Sequence, residues 1–222
     1  KAFKRAGRGF HCDFCVNFTL ADGSILAKKV EWKYGATSIV ECPQWVSPMK
    51  PSQYLTGSFE EYYYDNYLQE IVNPDPLPDK SVYLKQIHNE SPVCMLKYKA
   101  MYYAGAKRSP HYTGQQSDID YYNHCKKISE TAIQTFISES DLHYEKLNSY
   151  LEHTQADKIY MCCKDNTIYK SVPNKDDYTI ATDSITKTKN SYKGKTVSGK
   201  KINILLRWKN GNGIAFPAFQ IK

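Results

Sequence analysis

The 222 residues are 41% hydrophobic, 24% charged and 14% aromatic, with a formal net charge of +7. That is enough apolar side chain for the core of one domain or two small ones, and too much for a disordered chain. No run approaches the roughly eighteen apolar residues of a membrane span, and the basic start Lys1-Ala-Phe-Lys-Arg5 leads into no apolar signal core, so membrane and secretory classes are set aside and an intracellular protein is expected.

The charge is uneven. Residues 184–222 carry nine Lys or Arg and no acid, so the rest of the chain nets to 7 − 9 = −2. A second basic group, Lys1, Lys4, Arg5 and Arg8, is loosened by Gly7 and Gly9 and predicts a basic arm over residues 1–9. The expected organisation is therefore a single domain over 1–222 with a basic arm and a basic C-terminal segment at 184–222.

Val16 to Leu20 alternates apolar and polar residues, Ala21-Asp22-Gly23-Ser24 supplies turn chemistry, and Ile25 to Trp32 resumes, which predicts a hairpin. Ser38 to Cys42 suits a further strand before Pro43, Pro48 and Pro51 impose an irregular connection. Residues 59–72 read as a helix stopped by the Pro-rich run Asn73 to Asp79, and strands are predicted at 81–87 and 93–103. After a polar loop, Ser117 suits an N-cap. Ile119, Tyr122, Cys125, Ile128, Ala132 and Phe136 then recur at three- and four-residue intervals, the pattern of an amphipathic helix. Ser140 suits the cap of a second helix with Leu142, Leu147 and Leu151 facing inward.

Ile159 to Cys163 and Thr167 to Val172 form a predicted strand pair around Lys164-Asp165-Asn166. Ser184 to Lys201 lacks a core-forming pattern and is expected as a mobile loop that orders on phosphates. The last hairpin is Ile202 to Trp208, the turn Asn210 to Gly213, and Ile214 to Ile221, with Pro217 indicating an edge strand or bulge. The fold class expected is α+β: an antiparallel, strand-rich domain, with an oligonucleotide-binding barrel as the finer version, carrying an inserted helical pair.

No phosphate loop, dinucleotide fingerprint, zinc-protease helix or nucleophile elbow occurs. Two motifs have chemical potential. Asp22 followed by Glu31-Trp32-Lys33 is similar to the acid and E-x-K arrangement of many metal-dependent nucleases, in which two carboxylates hold Mg²⁺ and the Lys orients water. Against it stands the ordinary role of Asp-Gly in a turn. His11-Cys12-Asp13-Phe14-Cys15 brings two thiols to the C-x-x-C spacing of a zinc site, with His11 as a competing donor; small buried thiols are the alternative. Seven scattered cysteines suit reduced thiols, and no cofactor is required by the sequence.

Cations interleaved with aromatics are the most widespread feature, because unpaired bases stack on flat side chains while cations follow the phosphates. The candidates are Lys4, Arg5 and Arg8; Lys97, Lys99, Tyr102, Tyr103, Lys107 and Arg108; Tyr192, Lys193, Lys195, Lys200 and Lys201; and Arg207 with Trp208. Each segment can also be a strand whose outer face is solvated by Lys.

The basic arm running into Gly7-Arg-Gly-Phe-His-Cys-Asp-Phe-Cys15, the Tyr- and Lys-rich body and the basic end resemble the single-stranded DNA-binding proteins of large DNA viruses, the baculovirus type above all. The resemblance is one of texture and transfers no individual functional residue. It implies sequence-tolerant binding of single-stranded DNA in viral replication or recombination, self-association, a place in the host nucleus and no nucleotide hydrolysis. The expected partner is thus single-stranded DNA, with RNA as the alternative and no membrane. The rival functions are the nuclease using Asp22, Glu31 and Lys33, and a viral structural or interaction protein with an acidic partner.

Overall fold

The computed structural model describes residues 2–4, 11–38, 46–87, 93–208 and 217–221. Strands β1 (Ala2–Lys4), β2 (Phe14–Thr19) and β3 (Ile25–Tyr34) make an antiparallel meander, with Phe14 opposite Val30 and Thr19 opposite Ile25. The expected first hairpin is therefore present. Its turn is closed by the Gly23 N–H donating to the Leu20 carbonyl and by Gly23 at φ +82°, a conformation glycine adopts without a Cβ clash. Of the basic arm, Ala2–Lys4 is an edge strand; Arg5 and Arg8 lie outside the described residues.

On the other side of β3 lies β5 (Lys158–Lys164), parallel to it from Lys29 opposite Lys158 to Tyr34 opposite Cys163. A parallel neighbour requires a long crossover, and residues 35–157 supply it. β6 (Thr167–Ser171) then folds back on β5 through Asp165 and Asn166, both at positive φ, so this predicted pair also holds. The sheet order is β1-β2-β3-β5-β6.

Among the described residues the crossover carries strand β4 (Val46–Met49) and six helices: α1 (Phe59–Asn66), α2 (Leu68–Val72), α3 (Lys80–Gln86), α4 (Leu96–Gly105), α5 (Gln116–Glu139) and α6 (Tyr144–Gln155). Ser58 caps α1 by accepting the Glu61 N–H, and Asp79 caps α3 by accepting the Val82 N–H at 3.0 Å. β4 joins β7 (Thr186–Lys187), β8 (Ser191–Lys195), β9 (Lys201–Trp208) and β10 (Pro217–Ile221) in a second, antiparallel sheet of order β4-β10-β9-β8-β7. On β9 the alternation is clean: Ile202, Ile204 and Leu206 are buried while Lys201 is exposed. This inner face and the helices share one core, with Phe59, Tyr63, Ile133, Phe136, Leu147 and Leu151 among its members.

The coarse α+β expectation is right, and several finer ones are corrected. Both sheets are open among the described residues, one contains a parallel pair, and six helices stand there in place of the expected three. The strands expected at 81–87 and 93–103 are α3, a short turn at Val93–Met95, and α4. Lys97-Tyr98-Lys99 imitates strand alternation, but Met95, Tyr98, Tyr102 and Gly105 are buried at helical spacing, and that face decides. The single helix over 59–72 breaks at Tyr67 into α1 and α2. Ser140 ends α5, and His143, not Ser140, precedes α6, although Leu142, Leu147 and Leu151 do face inward.

Ser184 to Lys201 is no loop, since it forms β7 and β8 and buries Ser191, Tyr192 and Thr196. β10 is an interior strand. It accommodates Pro217 because that residue is its first and pairs only with β9, ahead of the irregular pairing with β4. The expected strand beyond Ser38 and the turn Asn210 to Gly213 lie outside the described residues.

Candidate functional site

β2 and β3 run antiparallel, so the start of one lies beside the end of the other. Asp13, immediately before β2, donates its N–H to the Val30 carbonyl at 3.0 Å, and its carboxylate Oδ2 accepts the Trp32 N–H at 2.8 Å. The carboxylate is thereby held on the residue between Glu31 and Lys33. Those two side chains, two apart on a strand, share a face, and Lys33 Nζ donates to Glu31 Oε1 at 2.6 Å.

The parallel strand β5 adds a second cation. Lys158 Nζ lies 3.6 Å from Glu31 Oε2 and 5.6 Å from the Tyr160 ring centroid. The Lys158 side chain is only 1% exposed, Glu31 15% and Lys33 22%. Burial pushes the Lys158 ammonium below its usual value, with the Glu31 carboxylate working against that. One carboxylate thus sits between two ammonium groups in a place with little water.

Around them the sheet meets α6. Tyr160 donates its hydroxyl to the Gln155 side chain at 2.5 Å, and the His11 ring makes edge contacts with Tyr150 and His153 at 5.9 and 5.8 Å between centroids. Burial, then the neighbouring His153, Lys158 and Lys29, lower the His11 pKa. Cys12 and Cys15 bring their sulfurs to 3.7 Å, and burial raises the Cys12 thiol to about 11.

Among the described residues no three His, Cys, Asp or Glu side chains converge as a metal-binding group. This bears differently on the two metal expectations. A closed zinc site takes four protein ligands, of which Cys12 and Cys15 provide two. Mg²⁺ is commonly held by one or two carboxylates, with water and substrate phosphate completing it; here the Asp13 carboxylate bonds the Trp32 N–H, and the two Glu31 oxygens face Lys33 and Lys158.

Asp22 does not belong here. It stands in the turn at the far end of the hairpin, roughly 20 Å along β3 from Glu31 at about 3.3 Å per residue. Its carboxylate accepts the Ser24 hydroxyl and N–H at 2.6 and 2.9 Å, and those bonds lower its pKa. The acid whose carboxylate bonds the backbone between Glu31 and Lys33 is Asp13, inside the C-x-x-C segment. The antiparallel register was the signal that would have found it.

The nucleic-acid candidates separate as well. Tyr102 and Tyr192 are 2% and 1% exposed, core side chains with no face for a base. The Tyr192 hydroxyl instead meets the Ser140 Oγ at 2.8 Å. Tyr103 is half-buried. Lys97 is taken by Asp75, and Lys200 by Asp177 at 2.9 Å; Lys99 is half-buried. Lys193, Lys195 and Lys201 are exposed together on the outer face of the second sheet, with Lys195 directly opposite Lys201. Lys107 and Arg108 are exposed on the loop after α4 and make no ion pair among the described residues. Lys4 belongs to β1, and Arg207 and Trp208 to β9. No protein-family model, curated protein or solved structure matches the chain.

Proposed function

We propose that the chain is a metal-dependent nuclease whose site is Asp13, Glu31 and Lys33, with Lys158 behind Glu31. The observation that carries this is the Asp13 carboxylate on the Trp32 N–H, which joins the acid to the E-x-K segment across two strands. A salt bridge formed only for stability is the plain alternative. It accounts poorly for the cluster, because desolvating several charges costs about as much as their attraction returns.

In this reading Asp13 and Glu31 would hold Mg²⁺, which would supply Lewis-acid stabilisation of charge on the phosphate. Lys33, already an ammonium donor at the carboxylate edge, orients the attacking water and meets the charge that develops on the phosphate. Water adds to phosphorus and releases one proton to solvent, the ester P–O bond breaks, and the departing oxygen takes a proton from solvent to leave as a hydroxyl. Lys158 is too deeply buried to touch substrate and keeps Glu31 in place. The exposed Lys193, Lys195 and Lys201 contact phosphates along the polyanion. Like charges set directly opposite each other destabilise a sheet, and an anionic partner relieves that.

Sequence-tolerant single-strand binding without cleavage is the second reading, supported by the same three lysines and weakened by the burial of Tyr102 and Tyr192. Incubation of end-labelled single-stranded and duplex DNA with the purified chain, in Mg²⁺ and in EDTA, separates the two. Cleavage should require Mg²⁺ and fall about a hundredfold or more in Glu31→Gln, the loss of a few kcal/mol of transition-state stabilisation. Binding without cleavage under both conditions would favour the second reading.

A further inference from the structure

Away from these charges, the loop joining α4 to α5 walls a cavity of about 610 Å³. We infer that this cavity binds one nucleotide unit, its base among the tyrosines and its phosphate at Lys107 and Arg108. The volume lies within the range of small-molecule sites, and the chemistry of the lining is divided in a way that suits such a ligand. Tyr103, Tyr112 and Tyr122 supply flat apolar surface, Asn123 supplies an amide that can both donate to and accept from a base edge, and the two cations stand beside them. Tyr112 is 37% exposed and Lys107 and Arg108 are exposed, so ring and charges are available together.

The loop is built rather than loose. The Ser109 N–H donates to the Ala106 carbonyl at 2.7 Å and the Thr113 N–H to the Ala104 carbonyl at 2.9 Å, while the Thr113 hydroxyl bonds Asp118 on α5. At its base Gly105 lies so close to α5 that a Cβ there would meet the Asp118 carbonyl oxygen at 1.9 Å. A pocket fixed before its ligand arrives loses less conformational freedom on binding. Two cations that make no ion pair among the described residues, at the rim of an aromatic cavity, give the charge complementarity that a phosphate monoester or diester would fill.

A free nucleotide and one residue of a single strand share this chemistry, and a titration distinguishes them. The probes are thymidine monophosphate, adenosine monophosphate and a short labelled oligothymidylate. EDTA is present throughout, so the result does not depend on the nuclease reading, and a failure of either leaves the other standing. Tyr112→Ala should weaken binding about tenfold, within the roughly 1–3 kcal/mol attributed to one stacked base. Lys107→Gln with Arg108→Gln should weaken it further and lower the log-log salt slope for the strand by about 2 × 0.7. Both sets change exposed side chains, so the melting temperature should stay close to that of the parent and a lost fold can be recognised.

Competition of strand binding by the mononucleotides identifies a free nucleotide as sufficient; strand binding that they do not compete identifies a nucleotide within a strand. Either result, with the loss in Tyr112→Ala, supports the inference. Unchanged affinity in both variants would overturn it, as would competition by inorganic phosphate equal to that by the mononucleotides, which would reduce the cavity to an anion patch.

Discussion

The chemistry of Lys158 is set by its surroundings. Its folded pKa is pushed below the ordinary 10.5, first by burial. In the interval between the folded value and 10.5 the unfolded chain holds a proton that the folded chain has released, so stability rises with pH through that window and is level below it. Lys158→Met removes the group. The stability of the parent relative to this variant should therefore climb as pH rises toward 10.5, a difference in which tyrosine titrations common to both proteins cancel; denaturant unfolding at several pH values measures it. A difference that falls over the same range would mean that Lys158 is held charged by Glu31 more strongly than burial opposes it. Lys33→Met should retain the fold and lose cleavage, since Glu31 keeps Lys158 as a neighbour.

At the scale of elements, the tyrosines separate two accounts of the sequence. Tyr63, Tyr83, Tyr98, Tyr102, Tyr160, Tyr178 and Tyr192 are all buried, so much of the aromatic content serves packing. Tyr192→Phe removes the hydroxyl that meets Ser140 at the junction of β8 with the end of α5. It should cost about 1–3 kcal/mol and several degrees of melting temperature while leaving nucleic-acid affinity unchanged; lower affinity at unchanged stability would restore Tyr192 to the binding surface. Gly105→Ala should be costlier still, because its Cβ would force α4 away from the backbone of α5.

Local signals carried the elements whose period was clean. Hairpin β2–β3, hairpin β5–β6 and helix α5 were legible because turn residues or three- and four-residue spacing left one choice. α3 and α4 were not. Val82, Tyr83, Tyr98 and Tyr102 favour strands as isolated residues, and only burial against neighbouring helices selects the helical period. The site was half legible for a related reason. Glu31-x-Lys33 is local, whereas its partner Asp13 depends on register across two strands, and Lys158 on a parallel pairing more than a hundred residues away in sequence.

For the whole molecule the net charge of +7 resolves into particular places. Several lysines are matched by acids, Lys187 with Asp141, Lys200 with Asp177 and Lys175 with Glu152, whereas Lys193, Lys195 and Lys201 share one exposed sheet face. Replacing those three by Gln should lower the log-log salt slope of single-strand binding by about 3 × 0.7, or roughly 2 units, if each contacts a phosphate. Adding Lys200→Gln should change the slope little, since Asp177 already holds that ammonium. An unaltered slope in the triple variant would make the face a solvated one.

In the proposed nuclease Asp13, and not Asp22, completes the catalytic set with Glu31 and Lys33. The most direct measurement is the Mg²⁺-dependent cleavage rate of one labelled DNA by the parent, Asp13→Asn and Asp22→Asn, each at matched folded concentration. The rate should fall about a hundredfold or more in Asp13→Asn and stay parent-like in Asp22→Asn. Equal rates in the parent and Asp13→Asn, or a loss confined to Asp22→Asn, would contradict it.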